Sequence, residues 1–277
     1  MWKWIFGLLV YASYCSAVES GIPLYYWKSK NIVNFGDHLS LKLVERIVES
    51  DINAITLKSE LDQHKLLAIG SIMTMAREGD IIWGSGVKSE DIPLDRYLFT
   101  NLDIRSVRGP KTRDFLKKKL GIDCPDIYGD PALLLPYFFP EFKRKESPLY
   151  EYIIIPHYSE MEFFKGYSNI VSSTDPFNLI IEKILNSKLV IASSLHGVIV
   201  AEAFGVPARL LRVTNNQPLF KYEDYYEGTG RPDFTYAESV EEAILMGGER
   251  PFICNLERLY ASFPFEYWPE SNPRKLL

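Results

Sequence analysis

The chain has little cysteine, few histidines and no hydrophobic run long enough to cross a bilayer. Its three cysteines in 277 residues, Cys15, Cys124 and Cys254, are too few and too scattered for a disulfide framework or a zinc site. Positive charge is not in excess either. A net charge of −5 argues against broad nucleic-acid binding, and the basic clusters Lys117-Lys118-Lys119 and Lys143-Arg144-Lys145 read as a solvated helix face and a linker. There is no repeat of solenoid length and no low-complexity tract. What is present is an ordinary globular composition, 47% hydrophobic and 24% charged, in a length that allows one large α/β domain or two smaller ones.

The N-terminus stands apart. Met1-Trp2-Lys3 precedes an apolar stretch from Trp4 to Ala17 and a Cys15-Ser16-Ala17 ending, the pattern of a secretory signal peptide. That stretch spans about 14 residues, whereas a transmembrane helix needs roughly 20. Residues 1–20 are therefore expected to be a signal or a membrane-associated segment, with a cytoplasmic protein as the alternative.

From residue 21 the pattern alternates strand and helix. Pro23 to Trp27, Leu66 to Ile69, Ile81 to Trp83, Ile104 to Val107 and Asp126 to Tyr128 are short strand candidates. Asp37 to Val48 has helical spacing, and Pro110 to Leu120 is a helix opened by proline and ended by Gly121. The Pro-rich, aromatic and then charged stretch from Pro131 to Pro148 is the expected crossover. Tyr152 to Ile155, Asn169 to Ser172, Leu189 to Ala192 and Ala208 to Leu211 then read as strands. Phe177 to Leu185, Val198 to Phe204, Val240 to Met246 and Ile253 to Phe263 read as helices. Repeated βα units predict parallel sheets covered by helices, in two Rossmann-like halves, 21–135 and 136–277, facing a cleft.

Chemistry-bearing residues fall at the strand ends, where open α/β sheets bind ligands. Ser193-Ser194-Leu195-His196-Gly197 places a histidine and two hydroxyls between a strand and a helix whose first N–H groups favour an anion. In Asn34-Phe35-Gly36-Asp37, Asp37 reads as the helix cap and Gly36 as the turn, and a cap on the cleft rim can also touch substrate. Gly70-Ser71 and Gly84-Ser85-Gly86 are small-residue turns that let backbone approach a ligand. Arg108 ends a strand just before the helix opened by Pro110, so its guanidinium and the free N–H groups are expected to converge on one anion. His157 also follows a strand. Asp130 and Glu202 are further carboxylate candidates, and the aromatics from Tyr222 to Tyr226, beside Lys221 and Asp224, read either as a sugar-stacking face or as packing.

Asn34-Phe-Gly-Asp37, Trp83-Gly-Ser-Gly86, Val107-Arg-Gly-Pro110, Tyr128-Gly-Asp-Pro131, Ser193-Ser-Leu-His-Gly197 and Ala201-Glu-Ala-Phe-Gly-Val-Pro207 follow one another in order. This ordered set, over roughly residues 22 to 212, resembles the polysaccharide pyruvyl transferase family. The resemblance implies a glycosyltransferase-B-like fold and transfer of the pyruvyl group of phosphoenolpyruvate to a sugar as a cyclic ketal. It implies no cofactor beyond that donor and a sugar or polysaccharide acceptor as partner. It places Arg108 and His196 at the positions implicated in donor binding and catalysis. Asp37, Asp130 and His157 are the candidate bases, since ketal formation must accept a hydroxyl proton. Asn34, Gly36, Ser85, Gly86, Ser193, Ser194, Gly197 and Glu202 complete the expected site. Two other readings stay open: a nucleotide-sugar glycosyltransferase, in which Glu202 grips a ribose, and a non-catalytic carbohydrate-binding protein.

Overall fold

The computed structural model describes residues 21–28, 32–56 and 64–276; the expected signal segment lies outside them. Strand β1 (Leu24–Tyr25) leads into helix α1 (Phe35–Val48), followed by β2 (Ala54–Ile55), β3 (Leu66–Leu67), β4 (Ile81–Trp83) and β5 (Asp103–Ser106). Helices α2 (Pro110–Leu120) and α3 (Leu135–Phe138) precede the second series. That series is β6 (Ile153–Ile155), α4 (Phe177–Leu185), β7 (Val190–Ala192), α5 (Leu195–Ala203) and β8 (Ala208–Leu210). Helices α6 (Phe220–Gly228), α7 (Val240–Met246) and α8 (Leu256–Ala261) close the chain.

The strands form two all-parallel sheets, ordered β2-β1-β3-β4-β5 and β6-β7-β8. In the first, the chain runs outward from β1 to β2 and then returns past β1 to β3. That reversal makes the gap between the carboxyl ends of β1 and β3 a topological switch point, where a crevice opens. Strands β3, β4, β6 and β7 are continuous apolar, buried runs because both faces are covered, whereas the edge strand β5 reads Asp-Ile-Arg-Ser and is mostly part-buried. One core joins the sheets: Leu24, Leu66 and Trp83 belong to the same buried cluster as Ile153, Val190 and Leu210. The Trp83 indole N–H reaches the Leu259 carbonyl at 2.9 Å, and the Phe35 N–H bonds to the Ser173 carbonyl at 2.9 Å.

Helix ends follow local chemistry, with two corrections. Asn34, not Asp37, caps α1: its side chain accepts from the Gly36 N–H at 3.0 Å, so Asp37 lies within the first turn. Ser194 caps α5 by accepting from the Gly197 N–H, so that helix begins at Leu195 and includes His196. Pro110 and Gly121 bound α2 as expected, with Gly121 at φ +68°. Helix α5 is buried continuously from Leu195 to Ala201, as expected of a helix that is apolar all round.

Three other expectations change. Asp126 to Tyr128 and Asn169 to Ser172 each reduce to a single bridge, Val107 to Tyr128 and Ile154 to Ile170; Pro125 and Pro131 leave the first too little chain to extend a ladder. The aromatic stretch from Tyr222 to Tyr226 is helix α6, and its spacing puts Tyr222, Tyr225 and Tyr226 into the core rather than towards a ligand. The crossover is partly core as well, with Leu133, Leu134, Leu135 and Phe138 all buried. Strand β2 escaped the sequence pattern because two residues are too few to show alternation. No helix among the described residues is long and apolar enough to cross a membrane.

Candidate active site

A cleft of about 270 Å³ opens where the strand ends meet. Trp27, Asn34 and Asp37 enter it from beyond β1, and Ser71, Ile72, Thr74 and Met75 from beyond β3, the two sides of the switch point. The second sheet supplies His157 and Tyr158 after β6, and Ser194, Leu195 and His196 after β7. Lys88, Gln217 and Lys221 complete the wall. Trp27 and Tyr158 stack across the two sets of loops, with ring centroids 5.9 Å apart and planes at 22°.

His196 is fixed from several directions. The first turn of α5 carries it, and Gly36 lies so close to the ring that a Cβ there would collide with Nδ1. Its Nε2 faces Asp130 Oδ2 at 3.6 Å, beyond hydrogen-bond reach but within ion-pair distance when the imidazole is protonated. Both atoms are buried and have no hydrogen-bond partner, an arrangement that cores avoid and functional sites retain. Asp130 is itself held by its other oxygen, which accepts from the Ala132 N–H at 3.0 Å. Nearby, burial pushes the Asp37 carboxyl up from 3.8 to about 6, with Asp130 adding to the rise and His196, Lys221 and Lys88 opposing it.

A second chain of contacts orders the opposite wall. The Lys221 ammonium donates to Gln217 Oε1 at 2.6 Å, which turns the Gln217 amide nitrogen towards His157 Nδ1 at 3.1 Å. Because the Ser159 N–H also donates to that nitrogen, the neutral His157 carries its proton on Nε2. Burial, reinforced by Lys221, Lys88 and His196, lowers the His157 pKa from 6.5 to about 3. The ring is therefore neutral across the physiological range. Burial, with the nearby Lys88 and Arg108 charges, also lowers the Lys221 ammonium from 10.5 to about 7.

Of the residues expected at the site, the cleft brings together Asn34, Asp37, His157, Ser194 and His196, with Asp130 behind His196. Ser193 braces them: its Oγ accepts from the His157 N–H at 3.0 Å, and its carbonyl accepts from the Tyr222 hydroxyl at 2.6 Å. Ser85 is buried and its hydroxyl donates to the Gly70 carbonyl at 2.9 Å. Gly86 makes room for the Arg108 guanidinium, and Gly197 for Ala192 and Ile155, so both serve packing.

Arg108 requires a correction. Its guanidinium and the start of α2 do converge on an anion, but that anion is the chain's own Asp224. Arg108 Nε reaches Asp224 Oδ2 at 3.0 Å, the Thr112 N–H reaches Oδ1 at 2.8 Å, and the Thr112 hydroxyl donates to Oδ2 at 2.7 Å. Arg108 is 0% exposed, and it meets the cleft only through Nη1, which donates to Ser71 Oγ at 2.6 Å. Glu202 is likewise taken: Arg231 grips both of its oxygens at 2.7 and 2.8 Å, and the Tyr225 hydroxyl donates at 2.6 Å. A ribose would have to displace that network. Ser71 lies in the Gly70-Ser71 turn and Lys221 beside the aromatic stretch already marked in the sequence, whereas Lys88 and Gln217 are charged or polar cleft residues that the sequence pattern passed over.

Comparison with known proteins shows which family the chain resembles in sequence. The polysaccharide pyruvyl transferase family model matches residues 34–215. An uncharacterized protein of Acanthamoeba polyphaga mimivirus is 29% identical over 191 residues, covering 65% of this chain and 64% of that protein. The succinoglycan biosynthesis protein ExoV of Rhizobium meliloti (strain 1021) is 28% identical over 240 residues, covering 80% of this chain and 71% of that protein. The chain thus spans just under two thirds of the viral relative's length.

Proposed function

Because the chain belongs to the polysaccharide pyruvyl transferase family, we propose that it moves the pyruvyl group of phosphoenolpyruvate onto a glycan. The product is a cyclic ketal across two sugar hydroxyls, with phosphate released. The observation that carries this reading is His196, backed by Asp130 at 3.6 Å, in a cleft that it shares with the Asp37 carboxyl and with Lys88 and Lys221. Both sheets turn their strand ends to that cleft, which supports a glycosyltransferase-B-type arrangement of two Rossmann-like halves. The enol phosphate carries its own leaving group, so the reading calls for no further cofactor.

In this reading, protonated His196 delivers its proton to the methylene carbon of the donor, which becomes the ketal methyl group. Positive charge develops at the central carbon, and one sugar hydroxyl forms the first C–O bond there. Its proton passes to Asp37, whose raised pKa makes it a better base than an ordinary carboxylate. The bond from the central carbon to the phosphate oxygen then breaks, the electron pair leaving with phosphate. The neighbouring hydroxyl forms the second C–O bond and closes the ring, its proton leaving with the phosphate, while the proton held by Asp37 returns to His196. Asp130 Oδ2 lies 3.6 Å from Nε2, within ion-pair distance of the imidazolium from which the sequence starts.

The test is phosphate release from phosphoenolpyruvate with galactosyl, mannosyl and glucosyl acceptors, with mass detection of the added pyruvyl group. Release that depends on an acceptor, and that falls by about 10²–10⁴-fold in His196→Ala, is the expected result. Binding of a uridine or guanosine diphosphate sugar, with no response to phosphoenolpyruvate, would overturn the reading in favour of a nucleotide-sugar glycosyltransferase.

A further inference from the structure

The lining of the cleft is of two kinds. Asp37, Lys88, His196, Gln217 and Lys221 are charged or polar, whereas Trp27, Ile72, Met75 and Tyr158 are apolar. Phosphoenolpyruvate is a small polyanion, so the first set suits it and the second is left without an occupant. Trp27 and Tyr158 are each only half-buried. Their planes lie at 22°, but their centroids are 5.9 Å apart, against 4.2 Å in the flat stack of Tyr226 on Phe234 in the second half. The two rings therefore overlap only partly, and each keeps apolar surface open to the cleft. Both are held from behind. Trp27 packs against the buried cluster that contains Tyr25, Leu67 and Ile72, and the Tyr158 ring lies 4.4 Å from that of His157. Rings fixed in advance lose little freedom when a ligand covers them.

A pyranose ring has the matching surface. Ring hydrogens project together on one side of it, and hydroxyls point outwards around its rim. Laid on the two rings, it covers apolar surface with apolar surface and turns its hydroxyls to the polar lining. We propose that Trp27 and Tyr158 form the platform on which a pyranose residue of the acceptor stacks, with His157 donating to one of its hydroxyls. The His157 Nδ1 is occupied by the Ser159 N–H and the Gln217 amide, whereas Nε2, which carries the proton, makes no hydrogen bond among the described residues. A neutral N–H suits a hydroxyl, as the lysines suit an anion. His157 also lies close enough to His196 to feel its charge, so a sugar held there is brought to the reacting groups. Trp27 follows β1 and Tyr158 follows β6, so the platform is assembled from both halves. That the stacked sugar is the acceptor rests on the pyruvyl transferase reading; the platform itself rests on the two half-covered rings.

Methyl galactoside, mannoside and glucoside, each added to the full chain, test the platform by saturation-transfer NMR and by steady-state kinetics. The wild type is expected to transfer saturation to the ring hydrogens of at least one glycoside. In Trp27→Ala the affinity for that glycoside should fall about tenfold, the scale of one lost aromatic contact. The KM for the acceptor should rise by the same factor while that for phosphoenolpyruvate stays within about twofold, the mark of a residue that touches only the acceptor. Trp27→Phe should keep most of the affinity, because a smaller aromatic face remains, and Tyr158→Ala should lose about fivefold. A Trp27→Ala protein that melts lower yet binds the glycoside like wild type overturns the assignment and leaves the two rings as a clasp between the halves. An equal rise in both KM values overturns it too, as does a wild type to which no glycoside binds. Should Trp27→Ala not fold, unchanged glycoside affinity in Tyr158→Ala overturns it instead. Failure of the pyruvyl transferase reading looks different: Trp27-dependent glycoside binding with no pyruvyl group added from phosphoenolpyruvate.

Discussion

Two cationic sites lie side by side in this molecule, and they are built on opposite principles. At the start of α2, Arg108 and the Thr112 N–H and hydroxyl surround Asp224, and all of these groups are buried. Every charge there has a partner inside the chain. In the adjoining cleft, Lys221 has no carboxylate within ion-pair distance among the described residues, although Glu160 and Asp37 act on it from farther off, and His196 Nε2 and Asp130 Oδ2 are buried without hydrogen-bond partners. The first site holds α6 against α2. The second carries unmet charge and unmet hydrogen-bonding capacity, which is what a ligand can satisfy. Polar groups are matched at the first site and left unmatched at the second.

The largest effect that separates the two comes from breaking the closed site. Asp224→Ala leaves Arg108 buried without its counter-charge, and unfolding by denaturant should show a loss of about 3–5 kcal/mol. Arg108→Ala should likewise lose activity in proportion to lost stability, with the KM for phosphoenolpyruvate little changed in the fraction that stays folded. A sharp rise in that KM at unchanged stability would erase the distinction between the sites.

An intermediate effect comes from Gly36. An alanine there drives a methyl group into the His196 ring, so the ring must move, at a cost of about 1–3 kcal/mol. Turnover should fall well beyond what that stability loss explains, because the displaced imidazole no longer faces Asp130. Comparing turnover with melting temperature in Gly36→Ala checks this. Equal losses in both would make Gly36 part of the scaffold alone.

The smallest effect is conditional on pH. Asp37 has a folded pKa raised from 3.8 to about 6, so its ionised form opposes folding. That cost is fully present above about pH 6 and absent below the unfolded value, where both states are protonated. Asp37→Asn should therefore raise the melting temperature at pH 7–8 and leave it near wild type below pH 4. The gain should be on the order of 1–2 kcal/mol, reduced by the part of Asp37 that stays open to solvent. Activity should fall in the same variant, the trade expected where a site is kept at the expense of stability.

Much of the fold was legible because its signals are local. Apolar spacing marks α1 and α4, Pro110 and Gly121 bound α2, and short apolar runs mark β4, β6 and β7. The starts of α1 and α5 moved towards the N-terminus, to caps at Asn34 and Ser194, because several neighbouring polar side chains were equally eligible. Half of the site was legible for the same reason: Asp37, His157 and His196 follow strands, and strand ends line the cleft. Lys88 and Gln217 were not, since nothing local distinguishes a cleft-facing polar side chain from a surface one. Arg108 was read as a ligand clamp because its partner Asp224 lies 116 residues away.

The amino-acid sequence alone determined the α/β class, the parallel strands with their helix starts, and a histidine at the mouth of one of them. Hydrophobic period and helix caps act over a few residues, so they survive without a fold. Tertiary structure alone decided which charges are already matched. Arg108 and Lys221 are both buried cations, and only the folded chain brings Asp224 to one and gives the other the neutral Gln217 amide at the cleft wall. Pairing of buried charges depends on distances between residues far apart in sequence, and the loss of water on burial makes each such match or mismatch count.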